Sequence, residues 1–182
     1  MQKNSNILKL ARGGMFAAIS IILMFVIRFA PIAQVPFLEY TPAGIPIFVA
    51  TLMFGTIEGL MIALVVSIVQ GLTVSASSGV YGIIMQILSL GSFVLAAGLL
   101  YRIKRIKFGA PTALAAGTAF SAIVMIGANL VVTPIFMGMP APVIWTTFMP
   151  FIVAFNLFSG IVNSIVAFMI FKLFKNKIKG IN

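Results

Sequence analysis

The chain has 182 residues, of which 62% are hydrophobic and 8% charged, with a mean hydropathy of +1.21; soluble domains carry about 25% charged residues, so this composition belongs to a membrane protein. Its charges are twelve Lys and Arg against Glu39 and Glu58 alone, with neither His nor Cys. That removes the usual zinc, haem and iron–sulfur ligand sets, thiol nucleophiles, histidine-dependent triads and disulfide frameworks, and argues against an enzyme and against a bound metal or cofactor.

A bilayer core needs about 20 helical residues per crossing, and six apolar runs follow in order. The first covers about 8–30 and stops before Pro31. It is too long for a signal peptide and runs into Arg28 without a small-residue cleavage site. A loop containing Pro31, Pro36, Pro42 and Pro46 leads to a second run, about 45–54, which is short for a crossing. The third is expected at about 57–74, the fourth at 83–101, the fifth at 111–132 and the sixth at 151–174, giving a single integral-membrane domain, an all-α bundle of six transmembrane helices.

Lys3, Lys9 and Arg12 precede the first run, Arg102, Lys104, Arg105 and Lys107 follow the fourth, and Lys172, Lys175, Lys177 and Lys179 end the sixth. With six crossings, eleven of the twelve cations fall on one side, the positive-inside pattern, which places both termini in the cytoplasm. Short juxtamembrane clusters of this kind suit anionic lipid headgroups rather than nucleic acid. Arg28 is the exception, at the outer end of the first run, where it is expected to snorkel to the outer headgroups or to contact a ligand. Glu39 then lies outside and Glu58 inside, so they cannot work as a catalytic carboxylate pair.

The outer connections, Pro31–Pro46, Ser75–Gly82 and Thr133–Pro150, are long and rich in Pro, Gly and Ser, with Tyr40, Tyr81 and Trp145 as interfacial aromatics. Irregular backbone facing lipid is costly, so the first of these loops, beside a short second helix, is expected to fold into the mouth of the bundle as a lid.

Polar residues within the runs recur at helical spacing: Asn156, Ser159, Gly160 and Asn163 on the sixth, Ser67, Gln70, Gly71 and Val74 on the third, and Gly82, Gln86, Ser89 and Phe93 on the fourth, with Asn129 near the outer end of the fifth. Each residue alone is compatible with helix–helix packing. The topology puts Gln86, Asn129 and Asn156 together in the outer half, beneath the loops, which points to a binding site. Amides and aromatic rings without an intramembrane charge suit a neutral, planar ligand and disfavour a strongly anionic one. Proton coupling normally uses an intramembrane Asp, Glu or His, and there is no phosphate-binding G-x-x-x-x-G-K-[ST] motif, so uphill transport would take its energy from another subunit. Ala11, Gly14 and Ala18 form a small-residue face on the first run that allows close approach of a foreign helix or of a neighbour within the chain. A self-contained channel would need a polar path through inner helix halves that are almost wholly apolar, and a scaffold role leaves the outer amides unused.

The segments A-R-G-G-M-F-A-A-I-S-I-I-L-M, P-F-L-E-Y-T-P-A-G-I-P, F-G-T-I-E-G, N-L-V-V-T-P-I-F-M-G-M-P and P-F-I-V-A-F-N-L-F-S-G-I-V-N-S, in this order, resemble the S components of energy-coupling factor (ECF) vitamin transporters, most of all the riboflavin-specific group. The resemblance runs from about Leu8 to Lys175. It implies a six-helix subunit of a prokaryotic cell membrane that takes a vitamin from outside under a first-loop lid and docks on a T component driven by two cytoplasmic ATPases. Gly14 and Ala18 stand at the family's small-residue docking motif, and Asn129 and Asn156 at ligand-binding asparagines of the riboflavin group. The lid correspondence makes Phe37, Leu38, Tyr40 and Thr41 candidate ligand contacts, beside Gln70, Gln86, Ser159 and Asn163 from the polar stripes. The chain departs from that group where many members read D-F-S-D-I-P and this one reads E-Y-T-P-A-G-I-P. Ser159 replaces a ligand-contacting lysine, Val66–Ser67 replaces a K-N pair and Gln86 an asparagine. The expected ligand is therefore riboflavin or a related neutral heterocycle.

Overall fold

The computed structural model describes residues 2–103 and 109–179, with side chains from 7–103 and 109–175. Lys104, Arg105 and Lys107 of the basic loop lie outside the described residues, and Lys3, Lys177 and Lys179 outside the described side chains. Five long or medium helices, α1 (Gln2–Val26), α2 (Gly44–Phe54), α3 (Thr56–Leu72), α4 (Gly79–Arg102) and α5 (Ala110–Met137), are followed by a single turn, α6 (Ala141–Val143), which runs through a π turn at Ile144–Phe148 into α7 (Met149–Lys179).

Four helical stretches, Ile7–Val26, Ala76–Arg102, Ala110–Met137 and Ala141–Lys175, are long and apolar enough to cross a membrane, while α2 and α3 are shorter apolar helices. At 1.5 Å per residue α2 is only about 16 Å long. It need not meet lipid, because every residue from Gly44 to Leu52 is buried. A helix apolar on all sides belongs at the centre of a protein, and α2 is the axis around which α1, α3, α4 and α7 pack. The bundle's outward surface carries Ile22, Phe25, Met61, Leu64, Ile123, Ile161 and Ile165, all exposed, as a lipid-facing belt requires.

The α2–α3 connection is the single residue Gly55, at φ +106°, a left-handed-side conformation that L side chains resist. It turns the chain back so that Glu58, in the first turn of α3, meets Arg12 of α1 through Arg12 Nε–Oε2 at 2.9 Å and a second contact from Nη2 to Oε1. Arg12 also lies over the Phe54 ring at 4.2 Å. At this same end, Tyr101 near the close of α4 packs edge-on against Phe171 of α7, with centroids 5.8 Å apart. The N-terminal half of α1, the α2–α3 turn, the end of α4 and the last turns of α7 thus share one end of the bundle.

The opposite end is built by the loop 27–43. The first helix stops at Val26, before the expected limit near residue 30, because the chain turns inward at Arg28 and Phe29 to form an antiparallel bridge with Tyr40. Phe29 N–H donates to Tyr40 O at 3.3 Å and Tyr40 N–H to Phe29 O at 2.8 Å. Beyond this neck the loop sinks into the bundle: Val35 and residues 40–43 are buried. In the fifth helix Pro134 does not end the run near Val132, as its missing N–H suggests. A proline inside a helix removes one backbone bond and can be accommodated in a packed bundle, and α5 continues to Met137, where Gly138 in the left-handed region (φ +66°) terminates it. The sixth run likewise begins earlier than expected, at Ala141, because the π turn keeps the helix continuous through Ile144, which is wholly buried with Met149 and Ile152.

Candidate functional site

At the end remote from Arg12 and Glu58, beneath the loop 27–43, lies a cleft of two chambers of about 130 and about 70 Å³. Both chambers are walled by Glu39, Gln70, Gln86, Ser89, Phe155 and Asn156, so they are two lobes of one space. The outer lobe adds Phe37 and Leu38 from the loop, Tyr81 and Met85 from α4, and Asn129 and Thr133 from α5. The inner lobe adds Thr41, Phe48, Phe93, Ser159 and Asn163. Phe48 and Phe93 are stacked there, with centroids 3.4 Å apart and planes within 9°. Below them the buried residues Leu52, Val94 and Ala97 continue the apolar core, so the cleft has a hydrophobic floor.

Helix spacing explains this convergence. Asn156, Ser159 and Asn163 lie on one stripe of α7, and that stripe can reach α5 because Gly160 has no side chain: a Cβ there would come 2.6 Å from Thr118 Cγ2. Thr118 Oγ1 and Ser164 Oγ are 3.1 Å apart across the same contact, so some of the polar residues in these helices serve packing. Ser67, wholly buried on α3, does not line the cleft, whereas Gln70, one turn later, does.

Nine of the ten residues expected at the site, Phe37, Leu38, Thr41, Gln70, Gln86, Asn129, Asn156, Ser159 and Asn163, line the cleft. Tyr40 is the exception. Its ring lies between Phe29 and Phe158, at 5.4 and 5.6 Å, and its hydroxyl donates to Asn163 Oδ1 at 2.9 Å. Burial pushes the Tyr40 phenol up, consistent with a neutral hydroxyl that donates this bond. Tyr40 therefore fastens the loop to α7 and acts on the cleft through Asn163.

The amides differ in what they have left to offer. Asn129, 1% exposed, donates from Nδ2 to Met125 O and accepts at Oδ1 from Thr133 Oγ1, both at 2.8 Å, so it is largely committed within its own helix. Asn156 donates one N–H to Ile152 O at 2.8 Å. Gln70 Oε1 is fully buried and has no hydrogen-bond partner. A buried acceptor left unpaired costs about 1–3 kcal/mol, and this one lies in a residue that walls both lobes.

Glu39, by sequence an edge charge, walls both lobes; its place between Leu38 and Tyr40 in the lid loop is the sequence signal that points there. Arg28, expected to reach for headgroups or ligand, instead grips Glu39 with Nε–Oε2 at 2.5 Å and Nη2–Oε1 at 2.8 Å. This bidentate bond raises the Arg28 pKa above its ordinary value. The pair brings a carboxylate to a cleft expected to hold no charge while keeping its net charge near zero.

Ala11, Gly14 and Ala18 are exposed, while Phe16, Ala17, Ser20 and Met24 turn inward. A Cβ built on Gly14 meets no atom within 4 Å. The small-residue face is thus on the outside of the bundle, and among the described residues nothing packs on it at Gly14. Among the described residues no group of three or more Asp, Glu, His or Cys side chains could hold a metal.

Residues 8–171 match the family described as ECF transporter, substrate-specific component. The chain is also similar to a solved bacterial protein, described under "Structure and mechanism of the S component of a bacterial ECF transporter". The two share 28% sequence identity and superpose with a TM-score of 0.83 over 96% of this chain and 99% of that one. No curated protein matches by sequence. With the family spanning nearly the whole chain and a helical fold shared over 96% of it, the protein belongs to the ECF transporter substrate-specific components, integral membrane subunits that bind a transported substrate and are not enzymes.

Proposed function

We propose that this subunit captures riboflavin, or a closely related neutral heterocycle, from outside the cell and delivers it by docking on a T component energised by two cytoplasmic ATP-binding subunits. The observation that carries the ligand class is the composition of the cleft: Gln70 Oε1 as an unpaired buried acceptor, with Gln86 and Asn156 beside it and aromatic rings from Phe37, Tyr81 and Phe155 around it. A planar heterocycle with a donor–acceptor edge satisfies the amides while its faces lie against the rings. The hydroxyls of a polyol arm can donate to Glu39, whose charge Arg28 balances. The resemblance of the two Asn-containing segments to the riboflavin group favours riboflavin within this class.

Neither lobe reaches the ~300 Å³ typical of small-molecule sites, so the loop 27–43 must move outward for a ligand to enter. The bond from Tyr40 to Asn163, which fastens the loop to α7, is the latch that such an opening releases. The stacked Phe48 and Phe93 beneath the cleft block a continuous polar path, which favours a carrier subunit that presents its closed site by moving as a body over a channel. The basic end of the bundle faces the cytoplasm by the positive-inside rule, and the open face around Gly14 is the surface offered to the T component.

The direct test is spectroscopic. Purified protein should carry flavin absorbance, or quench the fluorescence of added riboflavin at a one-to-one endpoint. Colourless protein that also leaves riboflavin fluorescence unchanged overturns the riboflavin assignment, and mass spectrometry of any retained small molecule then names the ligand.

A further inference from the structure

A second cavity, far from the cleft, lies between α1 and α3 at the basic end. It is an open groove of about 600 Å³, walled by Gly13, Ile57, Met61 and Val65, among others, with Lys9 and Arg102 also on its lining. Ile57, Met61 and Val65 are 69%, 61% and 48% exposed, so the chain leaves this apolar trough uncovered. Gly13 deepens it, since a Cβ there would find nothing within 4 Å.

Charge identifies what suits the groove. The chain contains only two acidic side chains, and both are taken by arginines, Glu58 of the groove's own wall by Arg12 and Glu39 by Arg28 at the other end of the bundle. Arg12 is further committed to the Phe54 ring. Among the described residues Lys9 and Arg102 therefore have no carboxylate left to pair with, and an anion from outside the chain would suit them. A molecule that joins a negative headgroup to a long apolar tail matches cations next to a lipid-facing trough.

We propose that the α1–α3 groove is a binding site for an anionic phospholipid, with the phosphate held by Lys9 and Arg102 and an acyl chain lying along Gly13, Ile57, Met61 and Val65. The site does not depend on which solute the cleft binds. It overlaps the helix face that carries Gly14, so a docked helix and the lipid would exclude one another.

The test uses the isolated subunit, delipidated in a neutral detergent and titrated with phosphatidylglycerol or phosphatidylcholine of equal chain length, with bound lipid counted by native mass spectrometry and stability followed by melting. Wild-type protein is expected to retain phosphatidylglycerol in preference to phosphatidylcholine and to melt higher with it. Lys9→Gln and Arg102→Gln should each weaken phosphatidylglycerol binding about fivefold. Because Arg102 packs against Gly55 and its loss could disturb the turn, Gly13→Leu provides an independent check: it fills the trough and should abolish the retained lipid while the protein still melts cooperatively. Equal retention of both lipids, or full phosphatidylglycerol preference in Lys9→Gln and Gly13→Leu, overturns the proposal. So does a Met61→Cys variant whose alkylation is blocked by T component but unaffected by phosphatidylglycerol, which would assign the groove to a partner helix alone.

Discussion

Tyr40 and Asn163, 123 positions apart in sequence, are joined by a buried hydrogen bond of 2.9 Å between the tyrosine hydroxyl and the amide oxygen. It connects the loop over the cleft to the helix that forms much of the cleft's wall. Asn163 is 4% exposed, so water cannot readily replace the lost partner. Tyr40→Phe should therefore destabilise the protein by about 1–3 kcal/mol, seen as a lower melting temperature in detergent. If Tyr40 also holds the lid shut, the variant should release bound ligand faster in stopped-flow fluorescence.

Gln70 gives a prediction of opposite sign for stability and binding. Its Oε1 is buried without a partner, so Gln70→Met, close in size and without the polar atoms, relieves a cost that the ligand-free protein bears. The melting temperature without ligand should stay the same or rise. Riboflavin affinity should fall at the same time, because the acceptor that the ligand would satisfy is gone. A purely structural role for Gln70 predicts the reverse on stability and no change in binding.

The two asparagines that the sequence places together should separate by titration. Asn156→Ala should weaken riboflavin binding by about 1–3 kcal/mol, or roughly 5- to 150-fold, measured by fluorescence quenching. Asn129 already bonds Met125 and Thr133 within its helix, so Asn129→Ala should lower the melting temperature at least as much as it lowers affinity. Unchanged affinity in Asn156→Ala would return that residue to packing.

Much of this architecture is legible in the sequence because the bilayer limits what apolar runs can do: long runs become helices able to cross it, and the polar stripe Asn156, Ser159, Asn163 meets Gln70 and Gln86 because all five lie toward the same end of neighbouring helices. What the sequence hides is tertiary. Pro134 looks like a helix end and is carried inside α5, where only the following Gly138 stops the chain. Arg28 looks like a headgroup anchor, because nothing local reveals that the loop returns Glu39, eleven positions on, to its guanidinium. Tyr40 sits among lid residues that reach the cleft, yet it turns to Asn163, since the bridge to Phe29 fixes the direction of its side chain.

Gly14 separates docking from folding. Since nothing approaches within 4 Å of a Cβ at this position, and leucine favours helix over glycine by roughly 0.5–1 kcal/mol, Gly14→Leu should fold and keep the ligand affinity of the wild type. Close approach of a foreign helix would be blocked. Co-purification with the T component, and uptake in vesicles containing the whole transporter, should both be lost. Normal uptake would show that the T component docks elsewhere.

Membrane orientation can be settled with single cysteines, because the chain contains none. Ser77, exposed in the turn between α3 and α4 at the end that holds the cleft, should as Ser77→Cys react with a membrane-impermeant maleimide added to intact cells. Leu10, exposed on α1 two residues before Arg12 at the basic end, should as Leu10→Cys react only after the cells are opened. This pattern follows from the concentration of Lys and Arg at the end that carries Arg12, Arg102 and Lys172. The reverse labelling pattern would place the cleft on the cytoplasmic side, and the roles of lid, cleft and docking face would have to be reassigned to an exporter.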